Sequence, residues 1–193
     1  PYYSFIPGNE ELLLLIDQSN DLELVARHLT TETNYAHVDI TKEEEINEFC
    51  EQVGFPEHGI ILKASLAEQP EEVWKDLRTK TTVINKTNTL LEQGYRIKAE
   101  TDMRAMRNPT RMLAIQEATR QLIRLLHSHC PSCEAPGYTK IKAIEGLPCQ
   151  LCGQPTRTSK AYVYQCQKCG YNEEQARIDK SFEEPMYCDG CNP

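Results

Sequence analysis

Eight of the nine cysteines in this 193-residue chain fall into four Cys-x-x-Cys pairs: Cys130/Cys133, Cys149/Cys152, Cys166/Cys169 and Cys188/Cys191. Two residues between thiolates let one tight turn present both sulfurs to a tetrahedral metal, so four pairs in series supply two complete four-cysteine sites. A disulfide framework would need an oxidising compartment, and no export signal is visible. A redox motif is one such pair beside a βαβ unit, not four in a row. The pattern predicts two structural Zn2+ ions and a reducing, cytoplasmic setting. Four cysteines per metal leave no open position for water or substrate, which argues against catalytic zinc. Metal binding of this kind is folding free energy, on the order of 10–16 kcal/mol per site in model peptides.

Which pairs share a metal is open between two arrangements. The stretch 153–165 reads as a strand, a tight turn near Ser159 and Lys160, and a returning strand over 161–165. That hairpin would bring the second and third pairs together and leave the first and fourth to close an outer site. The rival is sequential pairing, whose spacers of 15 and 18 residues suit the common zinc-site pattern. Nesting is the favoured arrangement. The ninth cysteine, Cys50, lies in a helical pattern and reads as a small core residue. His127 and His129 precede the first pair and are not needed as ligands.

The first two-thirds of the chain carries the apolar periodicity of a folded core. Leu12–Ile16 reads as a buried strand, and 22–26 as a second after a turn at Asn20-Asp21. Thr41 and Glu44 form a capping box for a helix that stops at Gly54. A strand at 60–63 follows, then a short helix with Val73, Trp74 and Leu77 on one face. A helix ending at Gly94, a strand at 95–99, and a long helix after Asn108 with the stripe Met112, Ile115, Thr119, Leu122 and Leu126 complete it. This order predicts an α/β (α+β) domain with a mixed sheet over residues 1–127, followed by a double zinc-ribbon-like region over 128–193.

Charge is unevenly distributed. Residues 1–95 hold 18 acids and 7 bases, whereas 96–127 hold 3 and 7. With a net charge of −8 and a formal −2 added by each zinc in four thiolates, generic nucleic-acid binding is disfavoured. No apolar run approaches the roughly 18 residues of a membrane span. The chain opens on Pro1 without an initiator Met or a basic leader, which suggests a fragment or a processed product.

The basic segment contains Glu100-Thr-Asp-Met-Arg-Ala-Met-Arg-Asn-Pro-Thr-Arg111, after the end of a strand, where open sheets often place ligand sites. Asn108 suits an N-cap and Pro109 the first helical position. A helix start normally attracts acids, yet Arg104, Arg107 and Arg111 surround this one, so an anion is required. The sharper expectation is a phosphate or carboxylate ligand held by Arg104, Asn108, Thr110 and Arg111. Glu100 and Asp102 would then hold a divalent ion such as Mg2+. The plainer one makes Glu100 and Asp102 the arginines' own partners. A second polar cluster after the second strand offers Glu32 and Asn34 as further ligand contacts and His37 as an acid/base.

These stretches carry a resemblance. Residues 11–17, Glu32-Thr-Asn-Tyr-Ala-His37, the segment 100–112, the run 146–153 and the final Cys188-Asp-Gly-Cys-Asn-Pro193 are similar to an uncharacterised bacterial family of unknown function, numbered 6671. The resemblance spans essentially the whole chain. It implies that the four cysteine pairs and the Glu100–Met112 segment belong to one design, and that a segment rich in Gly, Ser and His precedes Pro1 in relatives. It implies no activity. Three functions stay open: an enzyme acting on a phosphorylated small molecule or nucleotide, a non-catalytic adaptor or scaffold that binds protein or RNA, and a fragment that merely stabilises a missing N-terminal part.

Overall fold

In the computed structural model, which describes residues 8–66 and 70–193, most strands arise from runs that alternate apolar and polar side chains. Their order is β1 (Asn9–Asp17), β2 (Leu22–Thr30), β3 (His37–Ile40), α1 (Glu43–Val53), β4 (Ile60–Ser65), β5 (Glu72–Trp74), α2 (Lys80–Glu92) and β6 (Arg96–Thr101). Then come α3 (Pro109–His127), β7 (Tyr138–Glu145), β8 (Ser159–Cys166) and β9 (Asn172–Ala176). The chain divides into two compact units, residues 8–11 with 27–118, and residues 12–26 with 119–193.

The first unit is an α+β layer. Its sheet runs β3-β6-β4-β5, and every described pairing is antiparallel. The expected mixed sheet is therefore corrected. The crossover through α1 does join two strands of like direction, β3 and β4, but β6 inserts between them and runs opposite to both. One face of the sheet packs Ile40, Ile60, Leu62, Ala64, Ile97 and Ala99 in a core with Ile46, Phe49, Cys50 and Val53 of α1 and Val83 and Leu90 of α2. Burying such side chains stabilises by about 1.5–3 kcal/mol each. The lone Cys50 is a packed core thiol, pushed up by burial.

Local chemistry sets the helix ends. α1 stops where Gly54 takes the left-handed conformation at φ 72°. Its start is capped by Glu45, not Glu44: the Glu45 carboxylate accepts from the Thr41 N–H at 2.7 Å and the Lys42 N–H at 3.3 Å. Thr79 caps α2 by accepting from the Thr82 N–H. The short helix expected around Trp74 is instead the edge strand β5, in register with β4 through Leu62 and Trp74. Three residues make too few turns for a helix, whereas pairing satisfies their backbone at once. The Lys86 ammonium lies 4.1 Å over the Trp74 ring.

The run Leu12–Ile16 forms a strand as expected, but among the described residues β1 pairs only with β2, and alternate side chains fall on opposite faces. Leu12, Leu14 and Ile16 stand out to solvent, which corrects the reading of a buried strand. In α3 the buried positions are Ala114 and Ala118, and Met112 is exposed.

The second unit holds the meander β7-β8-β9, all antiparallel. The expected hairpin over 153–165 is absent: residues 153–158 are irregular, and the partner of β8 is β7, from Tyr138 opposite Cys166 to Glu145 opposite Ser159.

Candidate functional site

Three of the four cysteine pairs sit on one repeated turn. The N–H of Cys130, Cys149 and Cys166 donates to the carbonyl five residues on, at Ala135, Gln154 and Tyr171. The carbonyls of the same three cysteines accept from the residue four positions on, Glu134, Gly153 and Gly170. That fourth position has positive φ in all three turns: 60° at Glu134, 71° at Gly153 and 74° at Gly170. Glycine takes such a conformation freely, and Glu134 does so under strain.

Two clusters result, Cys130 with Cys133, Cys166 and Cys169, and Cys149 with Cys152, Cys188 and Cys191. The pairing is thus crossed, first with third and second with fourth, and both the nested and the sequential arrangements are corrected. The reason is the β7-β8 ladder. Tyr138 opposite Cys166 brings the turn before β7 to the end of β8, and the turn between the two strands is left at the other end. There a bridge between Cys149 and Glu183, and the bond from the Gln150 N–H to the Glu183 carbonyl, bring in the fourth pair.

The donor sets fit a tetrahedral metal ion. Sulfur separations of 3.7 Å (Cys130 to Cys169 and Cys133 to Cys166), 3.9 Å (Cys149 to Cys191) and 3.6 Å (Cys152 to Cys188) recur. A tetrahedron with metal–sulfur bonds of about 2.3 Å has edges of about 3.8 Å. A disulfide would need about 2.05 Å, and all nine cysteines are free thiols. Backbone N–H groups of Cys152 and Leu151 help draw Cys149 down to about 7, while the hydrogen bond to Cys152 and burial push Cys191 up to about 12. Four such neighbours ionise together only around a cation. Among the described residues both groups consist of cysteines alone, so His127 and His129 stand outside them.

The second candidate region, Glu100–Arg111, is built around the start of α3. Asn108 is the N-cap, as expected: its Oδ1 accepts from the Arg111 N–H at 2.9 Å, and its Nδ2 donates to Asn34 Oδ1 at 2.7 Å. The loop before β3 is tied in again by reciprocal bonds between Ala36 and Thr101. Sequence-distant clusters around Asn34 and Asn108 thus do meet. His37 is exposed, with its ring 5.9 Å from that of Tyr35, and lies opposite Glu100 in the β3-β6 register.

Every arginine of the segment has a protein carboxylate. Asp102, 1% exposed, receives Arg104 through Nε at 3.0 Å and Nη2 at 2.6 Å, and Arg104 also reaches Asp76. Arg107 forks onto Asp76 at 2.7 and 2.9 Å. Arg111 donates to Glu11 at 2.6 Å and to the Met103 carbonyl at 2.6 Å. Burial raises the Asp102 pKa, but the Arg104 hydrogen bonds reverse this and hold it below the usual carboxylate range. Glu100 pairs instead with Lys63 at 2.7 Å. Thr110 meets His58 Nε2 at 3.0 Å, and Glu32 lines a cavity of about 290 Å³ with Thr110 and His28. Asp76, Glu11 and His58 escaped the sequence reading because no spacing rule links positions 28 to 100 residues apart.

Gly59 lets the loop close. It exchanges backbone bonds of 2.7 Å with Asp102 and Arg107, and a Cβ there would lie 3.0 Å from the Cβ atoms of both. Gly59→Ala is expected to destabilise the protein by about 1–3 kcal/mol, read as a lower urea midpoint with an unchanged slope.

An α+β unit joined in one chain to a crossed pair of four-cysteine clusters defines a metal-binding protein of closed, all-thiolate type. The chain belongs to the domain of unknown function family DUF6671, whose model matches residues 1–193. No curated protein and no solved structure matches it.

Proposed function

We propose that this chain is a non-catalytic binding module whose second unit is held folded by two structural zinc ions, working in a reducing compartment such as the cytoplasm. The observation that carries this reading is the pair of thiolate tetrahedra with edges of 3.6–3.9 Å, each closed by four protein ligands. Iron fits a shell of four thiolates as well, but zinc is the commoner occupant of such turns. The ion pairs at Glu100–Arg111 support the same view, because the guanidiniums that would clamp a phosphate already have carboxylate partners. Native mass spectrometry of the protein as purified is expected to show two zinc ions per chain, independent of reducing agent. Zero or one ion, or masses lowered by disulfide formation, would overturn the proposal.

One observation favours a phosphate or nucleotide ligand. Asn34 Nδ2 is buried with no hydrogen-bond partner among the described residues, and the bond its Oδ1 accepts from Asn108 fixes which way the amide points. Titration with magnesium and a panel of nucleotides and sugar phosphates discriminates the readings. Saturable binding that Arg111→Ala abolishes would make this cluster a ligand site.

A further inference from the structure

In the second unit a groove of about 830 Å³ opens between the β1-β2 turn and the first cysteine turn. Leu15, Leu22, Leu126 and Pro136 give it an apolar lining. Ile16 also lines it, and is the last of three large apolar residues, Leu12, Leu14 and Ile16, that are 53%, 50% and 60% exposed on one face of β1. An apolar strip therefore runs along the strand into the groove. A strip of this kind, rimmed by polar residues, marks an interaction site more often than a bare surface.

Acidic groups predominate at the groove. Asp17, Glu134 and Cys133 line it, and Cys133 belongs to a cluster that keeps a formal −2 once four thiolates hold a divalent ion. The single cation among the lining residues, Lys168, donates to the Asn20 carbonyl at 2.6 Å, and its charge also acts on Asp17. Glu134 is the informative member. It occupies the left-handed position that glycine fills in two sister turns, so its carboxylate is kept where the backbone favours none.

We propose that this groove and strip dock an extended segment of a partner protein in which leucine-like side chains alternate with lysine or arginine. Alternation suits the geometry: in an extended segment side chains point to opposite sides, so one row meets the apolar strip while the basic row reaches the acidic rim. The proposal rests on the binding-module reading and names the partner chemistry for it. An RNA strand is the wrong charge for such a rim.

The test uses two end-blocked, fluorescein-labelled heptapeptides, one alternating leucine with lysine and the other leucine with glutamate, titrated onto the metal-loaded chain by anisotropy. The lysine peptide is expected to bind at least about tenfold more tightly than the glutamate peptide. Glu134→Gly keeps the turn and removes the acid, and is expected to weaken the lysine peptide about threefold. Ile16→Ser, at a solvent-facing position, is expected to weaken it about tenfold. Equal binding of both peptides, no binding of either, or affinities unchanged in both variants would overturn the proposal. So would sedimentation showing a dimer that Ile16→Ser dissociates, which assigns the face to a second copy. Metal content measured on the same samples separates this from failure of the zinc reading: two ions per chain with no peptide bound sinks the docking site alone.

Discussion

Replacing Cys130 and Cys166 together with serine will leave one metal ion per chain, whereas replacing Cys130 with Cys149, or Cys130 with Cys188, will leave none. The first double variant removes two ligands from one cluster and spares the other, and each of the others takes a ligand from both clusters. Sequential pairing would preserve one ion in the Cys130/Cys149 variant, and nested pairing would preserve one in the Cys130/Cys188 variant, so metal counting by native mass spectrometry separates all three. The effect on stability is large. A structural zinc site of this kind supplies on the order of 10–16 kcal/mol in model peptides, against about 5–15 kcal/mol for a whole domain. Variants without metal are expected to lose the β7-β8-β9 meander outright, seen as loss of amide protection over 138–176.

The second large effect is expected at Asp102. Arg104→Met leaves a carboxylate that is 1% exposed without its guanidinium, and breaking a buried pair in this way costs about 3–5 kcal/mol. The pH dependence carries the sign. In the native chain the folded pKa of Asp102 is depressed below its unfolded value of about 3.9, so its contribution is complete above that value and is lost as pH falls through the folded pKa. In Arg104→Met the backbone N–H of residue 104 still donates to Asp102 at 3.0 Å, but burial, the largest influence on this carboxyl, outweighs that one bond and lifts the folded pKa above the unfolded one. The variant's deficit relative to the native chain should therefore shrink as pH falls from 7 (about neutral) toward 4 (about the unfolded pKa). Urea unfolding of both proteins across that range measures it. A deficit independent of pH would show that Asp102 owes nothing to Arg104.

Much of the fold was legible because local rules agree with the tertiary outcome. Gly54 after an amphipathic run ends α1, Asn108 before Pro109 opens α3, and four Cys-x-x-Cys turns announce eight ligands. The misreadings have a common cause, which is pairing at long range. Whether Trp74 lies on a helix or a strand depends on β4 being beside it. Whether Cys166 meets Cys133 or Cys152 depends on β7, whose lysine-rich run of Lys140, Ile141 and Lys142 shows little strand character and pairs through a register shift. The candidate site divides the same way. Asn34 and Asn108 were expected to approach, and they do, but the carboxylates that satisfy Arg107 and Arg111 come from Asp76 and Glu11, which no motif tied to the segment.

The crossed clusters make the loop between Cys152 and Cys166 a special place to cut. A nick there yields one piece with Cys130, Cys133, Cys149 and Cys152 and another with Cys166, Cys169, Cys188 and Cys191, and each cluster takes half its ligands from either piece. With a metal ion in each cluster, both ions would act as rivets across the break. The severed halves, joined also by the β7-β8 ladder, are then expected to stay together while the metals are bound and to part on chelation.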